Sequence, residues 1–280
     1  MANNGIDELP GIASMILILY FVVAGVGLYF LGREQFFPKF NSTDLSVFGE
    51  KGRWVLLVFR MVCFGFFLGM TIIYDQIVNP PNWWYFTLWN IYLTVVYFGL
   101  TSLSSILSIT YGHDEYTNMV IGNRLGKLIT IVYASWGTTA FYITVLNFGL
   151  LDPNMGLWNV CQHLITSILV IIEMSLNMMD IQPIQFILAT AWVLTYVIFI
   201  WAIVGSRTRS WPYFFVDAGD SSGYSWYLLL FGLDFIFFVI WYALHRLKYR
   251  LLTNIQDIVG AQAVSPLAKE EEVTNDENMA

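Results

Sequence analysis

The sequence predicts an all-α, polytopic integral membrane protein with seven transmembrane helices, a six-helix body preceded by an extra N-terminal span. Three observations predict it. Seven stretches are apolar over the roughly 20 residues a helix needs to cross hydrocarbon. The composition is 57% hydrophobic and only 12% charged, with a mean hydropathy of +0.62, about half the charge of a soluble domain. Lys and Arg also gather in alternate connections, as they do when one side of a membrane is cytosolic. The apolar runs are continuous, not alternating, and only helices or closed barrels satisfy every backbone group in lipid, so the spans read as helices.

The expected spans are Gly11–Leu31, Trp54–Tyr74, Trp84–Leu107, Leu128–Leu150, Met155–Asn177, Ile184–Gly205 and Tyr224–Leu244. Asp7 and Glu8, with no Lys or Arg, precede the first run. That is not the basic start of a signal peptide, so the run stays as a span. The chain then divides into residues 1–32 (the extra helix), 33–53 (a polar cytosolic connection), 54–247 (the six-helix body) and 248–280 (a cytosolic tail). Much of the formal net charge of −7 lies after Leu252, where Asp257, Glu270, Glu271, Glu272, Asp276 and Glu277 face Lys269 alone. Such a segment is expected to be partly disordered. No basic stripe exists, which excludes a nucleic-acid partner. Cys63 and Cys161 fall inside spans and read as small packing residues.

With the N-terminus outside or luminal, the inner segments hold Arg33, Lys39, Lys51, Arg53, Arg124, Lys127, Arg246, Lys248, Arg250 and Lys269, while the outer ones hold Arg207 and Arg209. That bias predicts a cytosolic C-terminus in the endoplasmic reticulum, another endomembrane or the plasma membrane. It outweighs the sequon Asn41-Ser42-Thr43, which falls in an inner connection. Trp83-Trp84-Tyr85, Trp158 and Trp226-Tyr227 mark outer interfaces.

Ionisable groups at bilayer depth are expensive and mark candidate sites. Four qualify: Arg60, His163, Glu173 and Asp234. Arg60 and Glu173 both lie toward the inner face and are expected to form a structural ion pair. His163 is the one histidine within a span, about 12 Å below its outer end at 1.5 Å per residue. Asn159, Thr166 and Ser167 share its face at helical spacing. Thr87 enters from the same side on the third span, with Asn90 one turn on, and Asp234 lies at a depth from which it could orient the His163 ring. On residue type alone, His163 reads equally as a packing group or a base, and Thr87 reads as structural, because threonine commonly bonds back to helix carbonyls.

From about Trp54 to Leu247 the chain resembles the androgen-induced membrane protein family, with its Rolling stone relatives. Three stretches carry the likeness: Tyr85-Phe86-Thr87-Leu88-Trp89-Asn90 with Tyr97-Phe98-Gly99; Asn159-Val160-Cys161-Gln162-His163 followed by Glu173-Met174; and Trp211-Pro212-Tyr213-Phe214-Phe215. The resemblance implies a six-span threonine hydrolase of fatty acid esters of hydroxy fatty acids. Thr87 would be its nucleophile and His163 its base, and neither metal nor cofactor is implied. Asn90, Asn159 and Asp234 are possible supporting groups. The partners would be membrane lipid and a lipid-ester substrate. The chain departs from the family in its additional first span and in Val160, where the enzymes carry another histidine. The Rolling stone relatives are tied to cell fusion and not to settled chemistry, so a non-enzymatic multi-pass protein is the alternative expectation.

Two other classes fit less well. A receptor of the seven-span type would carry Asp-Arg-Tyr after its third span, where this chain reads Thr110-Tyr111-Gly112-His113-Asp114-Glu115-Tyr116. A small-molecule transporter could run a charge path through Arg60, Glu173 and Asp234, yet no inverted repeat or pair of broken helices accompanies it.

Overall fold

The computed structural model describes residues 18, 22, 26, 46–77, 84–151, 156–205, 211–217 and 223–277. Among the described residues every regular element is a helix, and one isolated bridge joins Ser46 to Asn177. Among the described residues six helices are long and apolar enough to cross a membrane. Of the first expected span only Ile18, Val22 and Val26 are described, each helical and exposed. The rest of Gly11–Leu31, like the sequon at Asn41, lies outside the described residues.

The elements are α1 (Gly49–Ile77), α2 (Phe86–Tyr111), the short α3 (His113–Asn118), α4 (Val120–Leu151), α5 (Leu157–Leu176), α6 (Pro183–Ala202) and α7 (Gly223–Glu277). Gly112 separates α2 from α3 at φ 84°, a left-handed backbone that a side chain would strain. α4 begins well before the expected Leu128. Its first turns carry Arg124 and Lys127 but bury Leu125 and Ile129, so an amphipathic approach extends the apolar span. The chain divides into two compact units, Met1–Trp241 and Tyr242–Ala280.

The first unit holds the helix body. On α1, Val55, Val58, Val62 and Phe66 are exposed while Arg60, Cys63 and Phe67 are buried. An exposed apolar stripe at helical spacing is what lipid requires. α4 is the most enclosed span, packed against α2, α5 and α6. Its Trp136 stacks on Tyr97 of α2 at 4.3 Å between ring centroids and donates its indole N–H to Thr94 at 2.8 Å. Gly137 faces the Trp241 ring so closely that a Cβ could not fit. Both cysteines are free and buried.

In the second unit α7 is helical as far as Glu277, through most of the segment expected to be a partly disordered tail. Ala, Gln, Glu and Lys supply the local propensity. Arg246 donates to the Tyr242 hydroxyl at 2.9 Å and lies over its ring.

Candidate active site

Thr87 occupies the first turn of α2. That helix begins at Phe86, and its N-cap residue, Tyr85, makes no side-chain cap of its own. The first amides of a helix need acceptors, and here they come from the loop before α7. The Tyr213 hydroxyl accepts from the Phe86 N–H at 3.0 Å, and it is also hydrogen-bonded to the Thr87 amide and side chain. Burial pushes the Tyr213 phenol up to about 12, against the pull of its bonds to Thr87 and Phe86, so it is a neutral hydroxyl at physiological pH. The ring is held by Phe215, stacked at 5.0 Å, and by Tyr85, edge-on at 5.5 Å.

His163 lies in a π-helical turn, Val160–Ile165, inside α5. A π turn inserts one residue per turn and re-aims the side chains around it, and such turns often mark functional sites. The expected face of four polar residues is accordingly split. Asn159 and His163 line a cleft, whereas Thr166 bonds back to the Gln162 carbonyl at 3.1 Å and Ser167 donates to the Ala140 carbonyl on α4 at 3.1 Å. Thr144 of α4 donates to the His163 carbonyl at 2.9 Å, and Phe148 meets the imidazole edge-on at 6.0 Å. The His163 ring is nearly buried, and its Nδ1 has no hydrogen-bond partner among the described residues.

Thr87 and His163 line the same cleft, about 390 Å³ in volume, together with Tyr85, Asn147, Asn159, Gln162 and Tyr213. Asn147 stands in a second π turn, Asn147–Leu151, at the end of α4, and donates to the Asn159 side chain at 2.8 Å. A narrower, apolar chamber adjoins this cleft, and Thr87, Asn147, Leu151 and Tyr213 line both.

Two sequence-derived candidates stand elsewhere. Asn90 is buried against α4, accepting from Thr139 at 3.1 Å. Asp234 accepts from Thr190 at 2.9 Å, and its other carboxylate oxygen has no partner among the described residues. Neither is among the residues lining the cleft. Depth along a helix is legible in the sequence, but the direction a side chain takes around the bundle is not. Asn147, Gln162 and Tyr213 did not stand out in the sequence as site residues. The one signal for Tyr213 is its place in the aromatic loop Trp211–Phe215.

The Arg60–Glu173 pair forms a separate polar centre. Nη2 and Nε of Arg60 lie 2.6 and 3.0 Å from Glu173 Oε1, and both side chains are fully buried. The same oxygen accepts from the Tyr97 hydroxyl at 2.9 Å and from Asn177 at 3.2 Å. Arg60 Nη1 donates to Ser105 at 2.8 Å. These bonds tie α1, α2 and α5 together and offset part of the desolvation of the pair, while Glu173 Oε2 has no partner among the described residues. Among the described residues no three His, Cys, Asp or Glu side chains form a metal-ligating group.

No family model, no curated protein and no solved structure matches the chain.

Proposed function

We propose that the protein is an intramembrane threonine hydrolase of lipid esters, of the kind implied by its resemblance to the androgen-induced family: fatty acid esters of hydroxy fatty acids or similar substrates. The observation that carries this reading is the cleft shared by Thr87 and His163, with an imidazole nitrogen buried and without a partner among the described residues. A threonine hydroxyl attacks only when a base removes its proton. His163 takes the proton from Thr87 Oγ1 as that oxygen bonds to the ester carbonyl carbon. It returns the proton to the leaving alkoxide, which departs as an alcohol and leaves an acyl-threonine. Water then attacks the acyl carbon, giving its proton to His163, and the Thr87 oxygen leaves and recovers a proton as the free acid is released.

The negative charge that develops on the carbonyl oxygen lies by the first turn of α2, where the helix dipole is positive. Amide side chains of Asn159 and Gln162 share the cleft wall and supply donors of the type an oxyanion requires. Tyr213 holds the turn that carries the nucleophile.

The same reading includes the seventh, N-terminal span, an outside or luminal N-terminus and a cytosolic C-terminus, supported by the Lys and Arg bias. The cleft then opens toward the outer or luminal side of an endomembrane or the plasma membrane. The direct test is covalent labelling of the full chain in lipid nanodiscs by a fluorophosphonate. Wild type should be labelled at Thr87, and Thr87→Ala should not. A wild-type protein that takes no label and cleaves no member of a panel of simple and hydroxy-acid fatty esters would leave the non-enzymatic alternative in place.

A further inference from the structure

The apolar chamber beside Thr87 differs in kind from the cleft. The cleft, about 390 Å³ in volume, admits a ligand head of some size. The chamber has a volume of only about 40 Å³. A volume that small between apolar walls is a narrow slot. Val193 and Val197, one turn apart on α6, Ile143 and Leu146 on α4, and Leu230 and Phe231 on α7 form its sides. Of the four tyrosines that line it, two turn their hydroxyls to backbone acceptors: Tyr196 donates to the Trp84 carbonyl at 2.8 Å and Tyr227 to the Val216 carbonyl at 2.9 Å. Thr87, Asn147 and Tyr213 line both spaces and mark where the chamber meets the cleft.

We infer that the chamber is the acyl-chain site of the proposed hydrolase, taking one unbranched alkyl chain, and that the alcohol part of the ester occupies the wider cleft; this rests on the hydrolase reading of Thr87 and His163. A narrow apolar slot holds water poorly because water finds too few polar partners there, whereas an alkyl chain loses only its exposure to solvent. A carbonyl carbon within reach of Thr87 Oγ1 sits where the two spaces join. Its chain runs into the slot, and its ester oxygen and everything beyond it face His163. Selectivity therefore falls on the acyl side. A branch close to the carbonyl is excluded by the slot, and a branched or hydroxylated alcohol part is accepted by the cleft.

The test uses the full chain in nanodiscs and two readouts. In the first, esters of one alcohol with saturated acyl chains of increasing length are hydrolysed by wild type, Val197→Phe and Val197→Ala. Val197→Phe shortens the slot and should lower kcat/KM for long acyl chains by roughly tenfold relative to the shortest, the scale of one or two methylenes in an apolar pocket. Val197→Ala should move the preference toward longer or bulkier chains. Varying the alcohol at fixed acyl length should give the same ratios for all three proteins. An unchanged acyl-length profile in both variants would overturn the assignment. The second readout needs no turnover. A fatty acid carrying a photoreactive diazirine at its distal end should crosslink to Val193, Val197 or Leu230 in the Thr87→Ala protein. Crosslinks confined to cleft residues or to the lipid-facing stripe of α1 would overturn the chamber assignment. Crosslinking inside the chamber with no hydrolysis by wild type would instead retain the chain site and sink the hydrolase reading.

Discussion

The Tyr213 hydroxyl accepts a hydrogen bond from the Phe86 amide at 3.0 Å, one residue before Thr87. A side chain in the loop before α7 thus caps the helix that carries the proposed nucleophile, in the place of an N-cap residue that makes no such bond. The contact joins segments far apart in the chain and holds the junction between the cleft and the chamber.

Removing that hydroxyl tests the cap. Tyr213→Phe keeps the ring stacked on Phe215 but leaves the first amides of α2 without their acceptor. We expect a loss of about 1 kcal/mol, the usual value of a helix cap, measured by thermal or denaturant unfolding in detergent, together with slower ester turnover at unchanged expression. A variant as stable and active as wild type would show that the contact is incidental.

Thr87 and His163 should act as one unit. Thr87→Ala and His163→Ala are each expected to remove nearly all hydrolysis, and the double variant to do little worse, because paired catalytic groups are strongly non-additive. Thr87→Ser, which keeps the hydroxyl, should retain measurable activity. Effects that multiply in the double variant would separate the two residues.

The Arg60–Glu173 pair should behave as a buried pair does. Arg60→Ala or Glu173→Ala strands the other charge and should cost about 3–5 kcal/mol. Arg60→Met with Glu173→Leu removes both charges and should cost less than either single change. Unfolding midpoints of the four proteins decide it: a double variant at the sum of its singles would contradict coupling.

Gly137 lies under the Trp241 ring with no room for a Cβ. Gly137→Ala should therefore force α4 and α7 apart in the first unit and destabilise the protein by about 1–3 kcal/mol, the range for overpacking. Gly149, with open space where its Cβ would stand, serves as the control. Equal stability of Gly137→Ala and Gly149→Ala would refute the packing.

Orientation can be read on sealed vesicles. Tags at the two ends of the chain should show the N-terminus protected from the cytosolic side and the C-terminus accessible to it. A glycan on Asn41 in the native protein would reverse that reading, because it would put the 33–53 connection on the luminal side.

Much of the architecture is legible in the sequence. Each of the six body spans overlaps a described helix, because hydrocarbon allows few alternatives to a continuous apolar helix. The polar residues within the spans stood out for the same reason: a charge or imidazole at bilayer depth is costly and therefore conspicuous. The sequence suffices to single out Arg60, Glu173, His163 and Asp234, and their approximate depths follow from helical rise. It does not say which way each one points. Only the tertiary structure turned Asp234 toward Thr190 and Asn90 toward Thr139, and aimed Thr87 and His163 into one cleft. A π turn at Val160–Ile165, which no residue type announces, altered the face on which His163 lies. Tyr213 was hidden for a further reason. In a membrane sequence an aromatic residue between spans reads as an interface anchor, and nothing local distinguishes an anchor from a tyrosine whose hydroxyl caps a helix over a hundred residues earlier. Hydrophobic burial in lipid is read along the chain, one span at a time, whereas a hydrogen bond between distant segments exists only once the helices have packed.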